Sequence, residues 1–363
     1  MKGSMNTPLL NSVDEIKKLD QHQMLETIEL LHSQISQVWN DALSLEIPSS
    51  YKEIDHVVVA GMGGSVLGTH VIQTLFREKV KLPILICPDY TLPSYVGKRS
   101  LVVASSYSGN TEETLSAAQD AQKKGAHIAG ITSGGKLAEF LRSNHYPSLV
   151  FDPVYNPSSS PRMGLGYSIF GQMMVFSRAG LLDISEKERE ELVLMLMSAQ
   201  KQKYWMAIDQ EKNHAKLLAF ECLGRIPVIV AAEHLEGVAH VFANQLNENA
   251  KTYSEFRVIP EMDHHLLEGF QFPTENKDSL FFIFAQSNLY SKENQKRVEV
   301  TKEIVDKHGL SSIEVSFPQK SQLLEAFEFL QFGAYTSFYL SMLHHRDPEP
   351  IPWVDYLKKE IKK

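Results

Sequence analysis

Short, almost continuously apolar segments recur along the first half of the chain, separated by glycine-containing turns and helix-forming stretches. A strand of a parallel sheet has this character because helices cover the sheet on both faces. Crossovers between such strands are right-handed, which favours a doubly wound sandwich. The pattern predicts one parallel sheet with strands at His56–Ala60, Leu82–Cys87, Ser100–Ala104, His127–Thr132 and Ser148–Phe151.

A second alternation of the same kind occupies the later part of the chain. Its strands are predicted at Ile226–Ala231, Arg257–Ile259, Ser279–Ala285 and Ile313–Phe317, with a helix at Lys292–Lys307 between the last two. We therefore predict an α/β protein in which two doubly wound parallel-sheet sandwiches pack together, with extra helices at both ends.

Helical patterning and turn-rich segments divide the chain into five predicted parts. Apolar residues at helical spacing precede the first sheet, and the Pro- and Ser-rich stretch Pro153–Pro161 follows it. The parts are an N-terminal helical segment (1–49), a first α/β domain (50–155), connecting helices (156–212), a second α/β domain (213–320) and C-terminal helices (321–363).

The composition limits the kinds of partner that the protein can have. A formal net charge of −8 over 363 residues disfavours broad binding to nucleic acid or to an anionic membrane surface. The N-terminus lacks the apolar core of a signal peptide, and no run of about 18 apolar residues occurs. Cys87 and Cys222 lie beside apolar runs without metal-ligand spacing, so buried, reduced thiols are expected. These features predict a cytoplasmic protein with neither nucleic-acid nor membrane partners.

The first strand ends in a glycine-rich turn, Gly61–Ser65 (GMGGS). Its small residues leave backbone N–H groups open at the start of a helix, where an anion can approach. A dinucleotide-binding fingerprint would need its third glycine at Val66 and an acidic residue earlier than Asp89. A nicotinamide cofactor is therefore disfavoured, and no other cofactor is indicated.

A more specific turn, Ser105–Thr111 (SSYSGNT), follows the third strand and places the hydroxyls of Ser106, Ser108 and Thr111 around a helix start. Hydroxyl and backbone donors at the positive end of a helix dipole form a phosphate cradle without a lysine. The alternative is that Ser108 or Thr111 only caps the helix. Three hydroxyls in six residues exceed what capping needs, which favours a phosphate site.

These turns belong to a set of motifs that covers most of the chain. The sequences GMGGS (61–65), SYSGNTEET (106–114) and ITSGGKLAE (131–139) resemble the sugar-isomerase (SIS) domain of sugar-phosphate isomerases. The later blocks NQLNENAK (244–251) and PEMDH (260–264) make the chain similar to the bifunctional phosphoglucose/phosphomannose isomerase family of archaea and bacteria. The resemblance implies two SIS domains and interconversion of glucose 6-phosphate and fructose 6-phosphate. Mannose 6-phosphate is left open as a further substrate.

The resemblance also implies roles for individual residues. Glu248 would move the proton between C1 and C2, His264 would assist ring opening, and Arg162 would steady the enediolate. A lysine of the last helix would complete the catalytic set, with Lys358 as the best match and Lys359 as the neighbouring alternative. The sugar phosphate would be held by Gly64, Ser65, Ser106, Ser108 and Thr111.

These residue types suit that chemistry. Proton transfer between adjacent carbons needs a carboxylate within reach of both, and an enediolate needs a cationic donor near its oxygens. Histidine, with an ordinary pKa of about 6.5, can act as both acid and base in ring opening near neutral pH. None of these steps requires a metal. The neighbouring His264 and His265 point to opposite sides of an extended chain, which disfavours a zinc site.

The resemblance further implies a homodimer in which the histidine is donated across the interface. Two other interpretations stay open: an isomerase of another phosphosugar, and a non-catalytic SIS module that senses a phosphosugar. The chain departs from the family pattern at Val241, where that pattern has an arginine. This difference bears on the substrate range more than on the reaction type.

Overall fold

A computed structural model gives the fold and describes residues 7–361. Nine strands lie within these residues: β1 His56–Ala60, β2 Ile84–Cys87, β3 Ser100–Ser105, β4 His127–Thr132, β5 Ser148–Val150, β6 Ile226–Ala232, β7 Glu255–Ile259, β8 Leu280–Gln286 and β9 Ser311–Ser316.

Fourteen α-helices accompany these strands in the same part of the chain. Shorter 3-10 and π-helical turns, among them Pro161–Met163 and Gly166–Phe170, lie between them. The helices are α1 Val13–Leu19, α2 Met24–Glu29, α3 Leu31–Ala42, α4 Gly64–Leu75, α5 Glu112–Lys123, α6 Gly135–Ser143, α7 Gly171–Arg178, α8 Glu186–Ala199, α9 His214–Cys222, α10 Glu236–Glu248, α11 Asn276–Ser279, α12 Lys292–Lys307, α13 Gln322–Leu343 and α14 Pro352–Ile361.

The strands form two parallel sheets, which confirms the predicted fold class. The first has the order β2-β1-β3-β4-β5 and the second the order β7-β6-β8-β9. Each strand pairs in parallel with its neighbours, for example β1 with β3 and β6 with β8. Four strands of the first sheet therefore have counterparts in the second: β1 corresponds to β6, β2 to β7, β3 to β8 and β4 to β9.

The pairing of β1 with β3 brings two of the predicted turns together. The register runs from His56 opposite Ser100 to Ala60 opposite Ala104, so the two strands end at the same level. Ligands of open α/β sheets bind at this carboxyl edge, where the loops after neighbouring strands meet. The glycine turn after β1 and the hydroxyl-rich turn after β3 consequently lie side by side.

The long helix α13 passes through the centre of the molecule. All residues from Leu323 to Met342 are buried, and the helix packs against α8, α9 and α10. A helix that is buried all round must be covered on every face. One hydrophobic core accordingly includes residues of both sheets, of α13 and of the N-terminal helices.

The structure differs from the sequence-based expectation in three places. The helical spacing of apolar residues in the segment 12–45 predicts one or two helices, but the segment forms three, because the chain turns at Gln23 (φ 56°) and again at Leu30. Helix α9 had no predicted counterpart, since the fully buried Lys216 interrupts its apolar pattern. The sequence predicts a helix at His234–Gln245 after the first strand of the second sheet, and the observed helix α10 continues beyond that end and finishes at Glu248.

Cys87 and Cys222 are both buried and free, as the sequence predicted. Across residues 7–361, the helices are either too short or too polar to cross a membrane.

Candidate active site

The glycine turn and the hydroxyl-rich turn are joined by hydrogen bonds. The Tyr107 backbone N–H donates to Ser65 Oγ at 3.0 Å, and Ser105 Oγ donates to the Ser65 carbonyl oxygen at 2.7 Å. Gln172 Nε2 donates to the same carbonyl oxygen at 2.6 Å. Ser65 is therefore held at the start of α4, directly beside the turn that carries the three predicted hydroxyls.

The hydroxyls of the second turn also contact one another. Ser106 Oγ and Thr111 Oγ1 are 2.9 Å apart, and the Gly109 N–H donates to Ser106 Oγ at 3.1 Å. Thr111 is the N-cap residue of α5, yet its side chain makes no capping hydrogen bond to the helix. The first free N–H groups of α5 thus remain available to an anion. This favours the phosphate interpretation over simple capping by Thr111.

Gly109 sets the tight shape of this turn. Its backbone is in the left-handed region, with φ of 67°. A Cβ atom added there would overlap the carbonyl oxygen of Gly134, in the turn after β4. Only glycine fits this position without moving the neighbouring turn.

Arg162 connects the glycine turn to the end of α10. A Cβ atom built on Gly64 would lie 3.5 Å from the Arg162 Cα, so Arg162 lies directly beside the glycine turn. The nearly buried Arg162 side chain places Nε 3.8 Å from Glu248 Oε2. Arg162 Nε also donates to Asn249 Oδ1 at 2.9 Å. The residues predicted as the base and the enediolate donor are therefore neighbours, beside the predicted phosphate turn.

A C-terminal strap, residues 344–351, holds the other side of the guanidinium. Arg162 Nη2 donates to the carbonyl oxygens of Pro348 at 2.9 Å and Glu349 at 2.6 Å. These two bonds and the bond to Asn249 engage three of the five guanidinium N–H groups. Nη1 has no hydrogen-bond partner among the described residues, so its two donors remain open to a substrate oxygen.

Lys251 ties the strap to α10. Its Nζ donates to the carbonyl oxygens of Glu248 and Pro348, each at 2.7 Å. Burial, with the nearby Arg162 charge, lowers the pKa of Lys251 to about 8. The protonated amine therefore sits in a partly desolvated position that its two carbonyl partners stabilise.

The surroundings of Glu248 act on its pKa in opposite directions. Burial raises the pKa of this half-buried carboxyl, while Arg162, Lys251 and Lys358 act in the opposite direction. Lys358 lies on α14 and is the weakest of these three influences. The predicted C-terminal lysine is thus close enough to act on the Glu248 charge, although both Lys358 and Lys359 are largely exposed.

Within one chain, Glu248 precedes β7 and His264 follows it, so the two residues lie towards opposite ends of that strand. It is exposed at the end of a 3-10 turn, Glu261–His264, and makes no hydrogen bond or ion pair in the part of the chain that is described. The preceding Asp263 fixes this turn by accepting hydrogen bonds from Thr301 at 2.8 Å and Arg297 at 3.2 Å.

The serine-rich block before Arg162 has a structural role that the sequence did not reveal. Ser158 Oγ donates to Asn156 Oδ1 at 2.8 Å, and the Ser158 N–H donates to Thr27 Oγ1 at 3.0 Å. Asn156 Nδ2 in turn donates to the Tyr107 hydroxyl at 2.7 Å. Buried polar groups of this kind need hydrogen-bond partners. These bonds fix the segment that positions Arg162.

Sequence reasoning missed the partners of Arg162. Asn249 and Lys251 were visible only as polar neighbours of Glu248, and the two carbonyl oxygens of the strap carry no sequence signal. Val241, where the family pattern has an arginine, is fully buried within the core. Its side chain therefore contributes to packing.

The geometry of the described residues does not indicate a metal centre. Across residues 7–361, no group of three or more His, Cys, Asp or Glu side chains is arranged to hold a metal ion. Among the residues around Glu248, the charged groups are instead paired with one another and with backbone carbonyls.

The chain is similar to known proteins along most of its length. The family model described as the bacterial phospho-glucose isomerase C-terminal SIS domain matches residues 211–361. A protein named bifunctional phosphoglucose/phosphomannose isomerase from Caldicellulosiruptor bescii is 34% identical over 345 residues, which cover 93% of this chain and 98% of that protein. The protein of the same name from Thermoplasma volcanium is 31% identical over 310 residues, covering 85% and 91%.

The fold is also similar to that of solved structures. A hypothetical protein from Thermus thermophilus superposes with a TM-score of 0.72 at 16% identity, covering 98% of this chain and 94% of that chain. Together with the parallel sheets and the matched domain, this gives an α/β fold of two SIS-type doubly wound sandwiches packed together.

Proposed function

The chain belongs to the family of bifunctional phosphoglucose/phosphomannose isomerases, and we propose that it interconverts glucose 6-phosphate and fructose 6-phosphate through an enediolate. Mannose 6-phosphate is proposed as a second aldose substrate. The observation that carries this proposal is the contact series from the glycine turn through Arg162 to Glu248. It supports a site in which a phosphate-binding turn, a cationic donor and a carboxylate base face one ligand.

Each group has a distinct task in the proposed reaction. The phosphate binds to the hydroxyls and backbone N–H groups at the start of α5, with Gly64 and Ser65 completing the cradle. Glu248 takes the proton from C2 of the open-chain aldose and returns it to C1. The open Nη1 donors of Arg162 stabilise the negative charge on the enediolate oxygens. The phosphate-binding hydroxyls are those of Ser65, Ser106, Ser108 and Thr111.

The cations around Glu248 limit the rise in its pKa, which affects both the strength and the ionisation of the proposed base. A carboxyl whose pKa is raised is a stronger base, but it must still be ionised near neutral pH. Burial raises the pKa of Glu248, and Arg162, Lys251 and Lys358 keep this rise in check. Lys358 is proposed to contribute in this way, through its charge.

Ring opening is assigned to His264 of the partner subunit. The exposed position of His264, away from Glu248 of its own chain, supports donation across a homodimer interface. Such a site would be complete only in the dimer.

We also propose that the chain has five parts. These are an N-terminal helical segment (1–49), a first SIS domain (50–155), connecting helices (156–212), a second SIS domain (213–320) and C-terminal helices (321–363).

The proposed substrates place the protein in carbohydrate metabolism. An enzyme that interconverts glucose 6-phosphate and fructose 6-phosphate serves both glycolysis and gluconeogenesis, in the cytoplasm. We propose that setting for this protein, without nucleic-acid or membrane partners.

A coupled assay tests the proposal directly. Purified protein in EDTA is given fructose 6-phosphate, and glucose 6-phosphate formation is followed; mannose 6-phosphate is tested as substrate in parallel. We expect turnover that survives the chelator. Binding of fructose 6-phosphate without turnover would instead identify a phosphosugar sensor. Turnover of a different phosphosugar alone would identify an isomerase of another substrate.

A further inference from the structure

A buried glutamine, Gln172, links the two turns of the predicted phosphate site. It is the second residue of α7 and is fully buried. Its Nε2 donates to the Ser65 carbonyl oxygen at 2.6 Å and to Ser105 Oγ at 3.1 Å. Ser65 belongs to the glycine turn, and Ser105 begins the hydroxyl-rich turn. One side-chain amide therefore holds a group of each turn.

The orientation of this amide is fixed by the groups around it. A carbonyl oxygen can only accept a hydrogen bond, so Nε2 and not Oε1 must face the Ser65 carbonyl. The Gln172 Oε1 atom accepts a hydrogen bond at 2.7 Å from Oγ1 of the fully buried Thr69, on α4. Both ends of the amide are thus engaged, as its burial requires. A side chain held in one orientation can set the distance between the groups that it binds.

Helix α4 lies very close to the segment that carries Gln172. A Cβ atom built on Gly68 would lie 2.9 Å from both the Ile169 Cα and the Ser168 carbonyl oxygen, and 3.0 Å from Gln172 Cδ. Ser168 and Ile169 belong to the π-helical turn Gly166–Phe170. Because backbone meets backbone at this contact, the glycine leaves little freedom for the two segments to shift. The amide of Gln172 therefore reaches the start of α4 from a fixed position.

The same segment also carries Arg162. This residue lies in the turn Pro161–Met163, and the π-helical turn separates it from Gln172 along the chain. Residues 161–172 therefore supply the proposed enediolate donor at one end and hold the two turns of the predicted phosphate site at the other. The arrangement relates the position of the phosphate turns to the position of the guanidinium.

We propose that Gln172 is a positioning residue of the phosphate site, and that its two amide donors set the spacing between the glycine turn and the hydroxyl-rich turn. This inference rests on the proposed function, because it concerns the same phosphate site. Gln172 acts through Ser65 and Ser105 and does not contact the substrate, since it is fully buried and its amide is engaged. Without its donors, the phosphate-binding groups are still present but are displaced from one another.

The test measures the Kd of inorganic phosphate for the full-length protein by isothermal titration calorimetry. Gln172→Met keeps the length of the side chain and removes both donors. We expect its Kd to rise about tenfold, which corresponds to the loss of about one hydrogen bond. Gln331→Met is the matched control, because Gln331 is equally buried but donates to the Leu196 carbonyl oxygen on α8. It should bind phosphate as the wild type does.

A second variant separates positioning by the donors from a general effect on packing. In Gln172→Glu the protonated carboxyl can donate to the Ser65 carbonyl oxygen, whereas the ionised carboxylate cannot. Burial raises the pKa of a carboxyl, so the introduced group should titrate between pH 5.5 and pH 8. Relative to the wild type at the same pH, phosphate should bind about tenfold more weakly at pH 8 and recover most of its affinity at pH 5.5. Gln172→Met, which has no such group, should stay weak at both pH values.

Thermal unfolding shows which variants are folded. If neither substitution of Gln172 folds, Thr69→Val is measured instead, because it removes the donor that orients the amide; we expect its Kd to rise about threefold. Thr69→Ser keeps the hydroxyl and should bind more tightly than Thr69→Val.

A folded Gln172→Met or, failing that, Thr69→Val variant with the wild-type Kd would overturn the proposal, as would a Gln172→Glu variant equally weak at both pH values. Isomerase turnover by the wild type together with such a result would leave the proposed function standing. Weakened phosphate binding in the variants of a wild type without turnover would support the role of Gln172 and contradict the proposed function.

Discussion

At the scale of single residues, the guanidinium of Arg162 is the best-defined feature of the candidate site. Asn249 holds Nε, and the carbonyl oxygens of Pro348 and Glu349 hold Nη2. Because the guanidinium is planar, hydrogen bonds that fix Nε and Nη2 also fix the direction of Nη1. The positions of Asn249 and the strap therefore decide where the open Nη1 donors point.

This arrangement predicts that Asn249 is a positioning residue. Asn249→Ala should lower kcat about 10–100-fold with little change in KM, because Arg162 loses one fixed side while the phosphate turn is untouched. Asn249→Asp keeps an acceptor for Nε and should recover part of the rate. Steady-state kinetics on both variants, with folding checked by circular dichroism, measure this split. A rise in KM at unchanged kcat in Asn249→Ala would contradict the assignment.

The environment of Glu248 predicts a pH effect with a definite sign. Burial raises the pKa of Glu248 and the charge of Lys251 lowers it, so removing that charge should raise the pKa further. In Lys251→Met the acid limb of the kcat/KM profile should therefore move to higher pH, because the base must be ionised to act. Lys251→Arg keeps the charge and serves as the control. An unshifted acid limb in Lys251→Met would show that Lys251 does not influence the base.

At the scale of elements, the site depends on the close contact between neighbouring strand-to-helix turns. Gly109 after β3 lies against the carbonyl oxygen of Gly134 after β4, and Ser133 Oγ donates to the Tyr107 carbonyl oxygen at 2.8 Å. The turn that carries the predicted phosphate-binding hydroxyls is therefore shaped by the next turn along the sheet. Its geometry is a property of the sheet edge as a whole.

This contact predicts a large cost for a small substitution. Gly109→Ala should lower the free energy of unfolding by about 2–4 kcal/mol, because the new methyl group meets backbone and the left-handed conformation is strained for alanine. Gly97→Ala is the matched control, since a Cβ there has no atom within 4 Å. Denaturant unfolding of both variants gives the comparison. Equal stability of the two variants would mean that the turn is free to move.

The strands could be predicted from the sequence, whereas helix α9 could not, and the difference has a physical cause. Apolar runs located the strands of both sheets because parallel strands must be buried on both faces. Helix α9 was missed because Lys216 is buried and donates to the carbonyl oxygens of Leu10, Met206 and Ile208. A lysine normally indicates an exposed face, and only the tertiary structure supplies the three acceptors that allow its burial.

The same limit applies to the candidate site. Motifs predicted Glu248, Arg162 and the hydroxyl-rich turn as site residues, because the proposed chemistry needs their side-chain types. The role of the strap could not be predicted from the sequence, because it holds Arg162 through the backbone carbonyl oxygens of Pro348 and Glu349. Every residue has such an oxygen, so no residue type marks these positions. The role of His264 in ring opening was predicted from the family resemblance alone.

At the scale of the whole molecule, the candidate site joins both domains and both ends of the chain. The strap that holds Arg162 is also tied to the N-terminal segment, where His22 Nδ1 lies 2.6 Å from Asp347 Oδ2. The Asp347 carboxylate raises the pKa of this largely exposed His22. The part that a single chain leaves incomplete is the acid for ring opening, which we assign to the partner subunit.

That assignment predicts complementation between two inactive proteins. Glu248→Gln and His264→Ala homodimers should each lose most activity. After mixing and subunit exchange, half of the dimers are hybrids with one intact site of two, so about a quarter of wild-type activity should return. The assay is run before and after exchange, with dimer content measured by sedimentation. Mixtures that stay inactive despite hybrid formation would contradict a shared site.

In the proposed mechanism, the Glu248 carboxylate carries the proton between C1 and C2 while serine and threonine hydroxyls hold the phosphate. Incorporation of deuterium from solvent into glucose 6-phosphate formed from fructose 6-phosphate tests it most directly. We expect Glu248→Gln to bind fructose 6-phosphate as the wild type does but to exchange the C2 proton at least about a hundredfold more slowly. Glu236→Gln, at the other end of α10, is the matched control and should exchange normally. Wild-type exchange in Glu248→Gln would contradict the account.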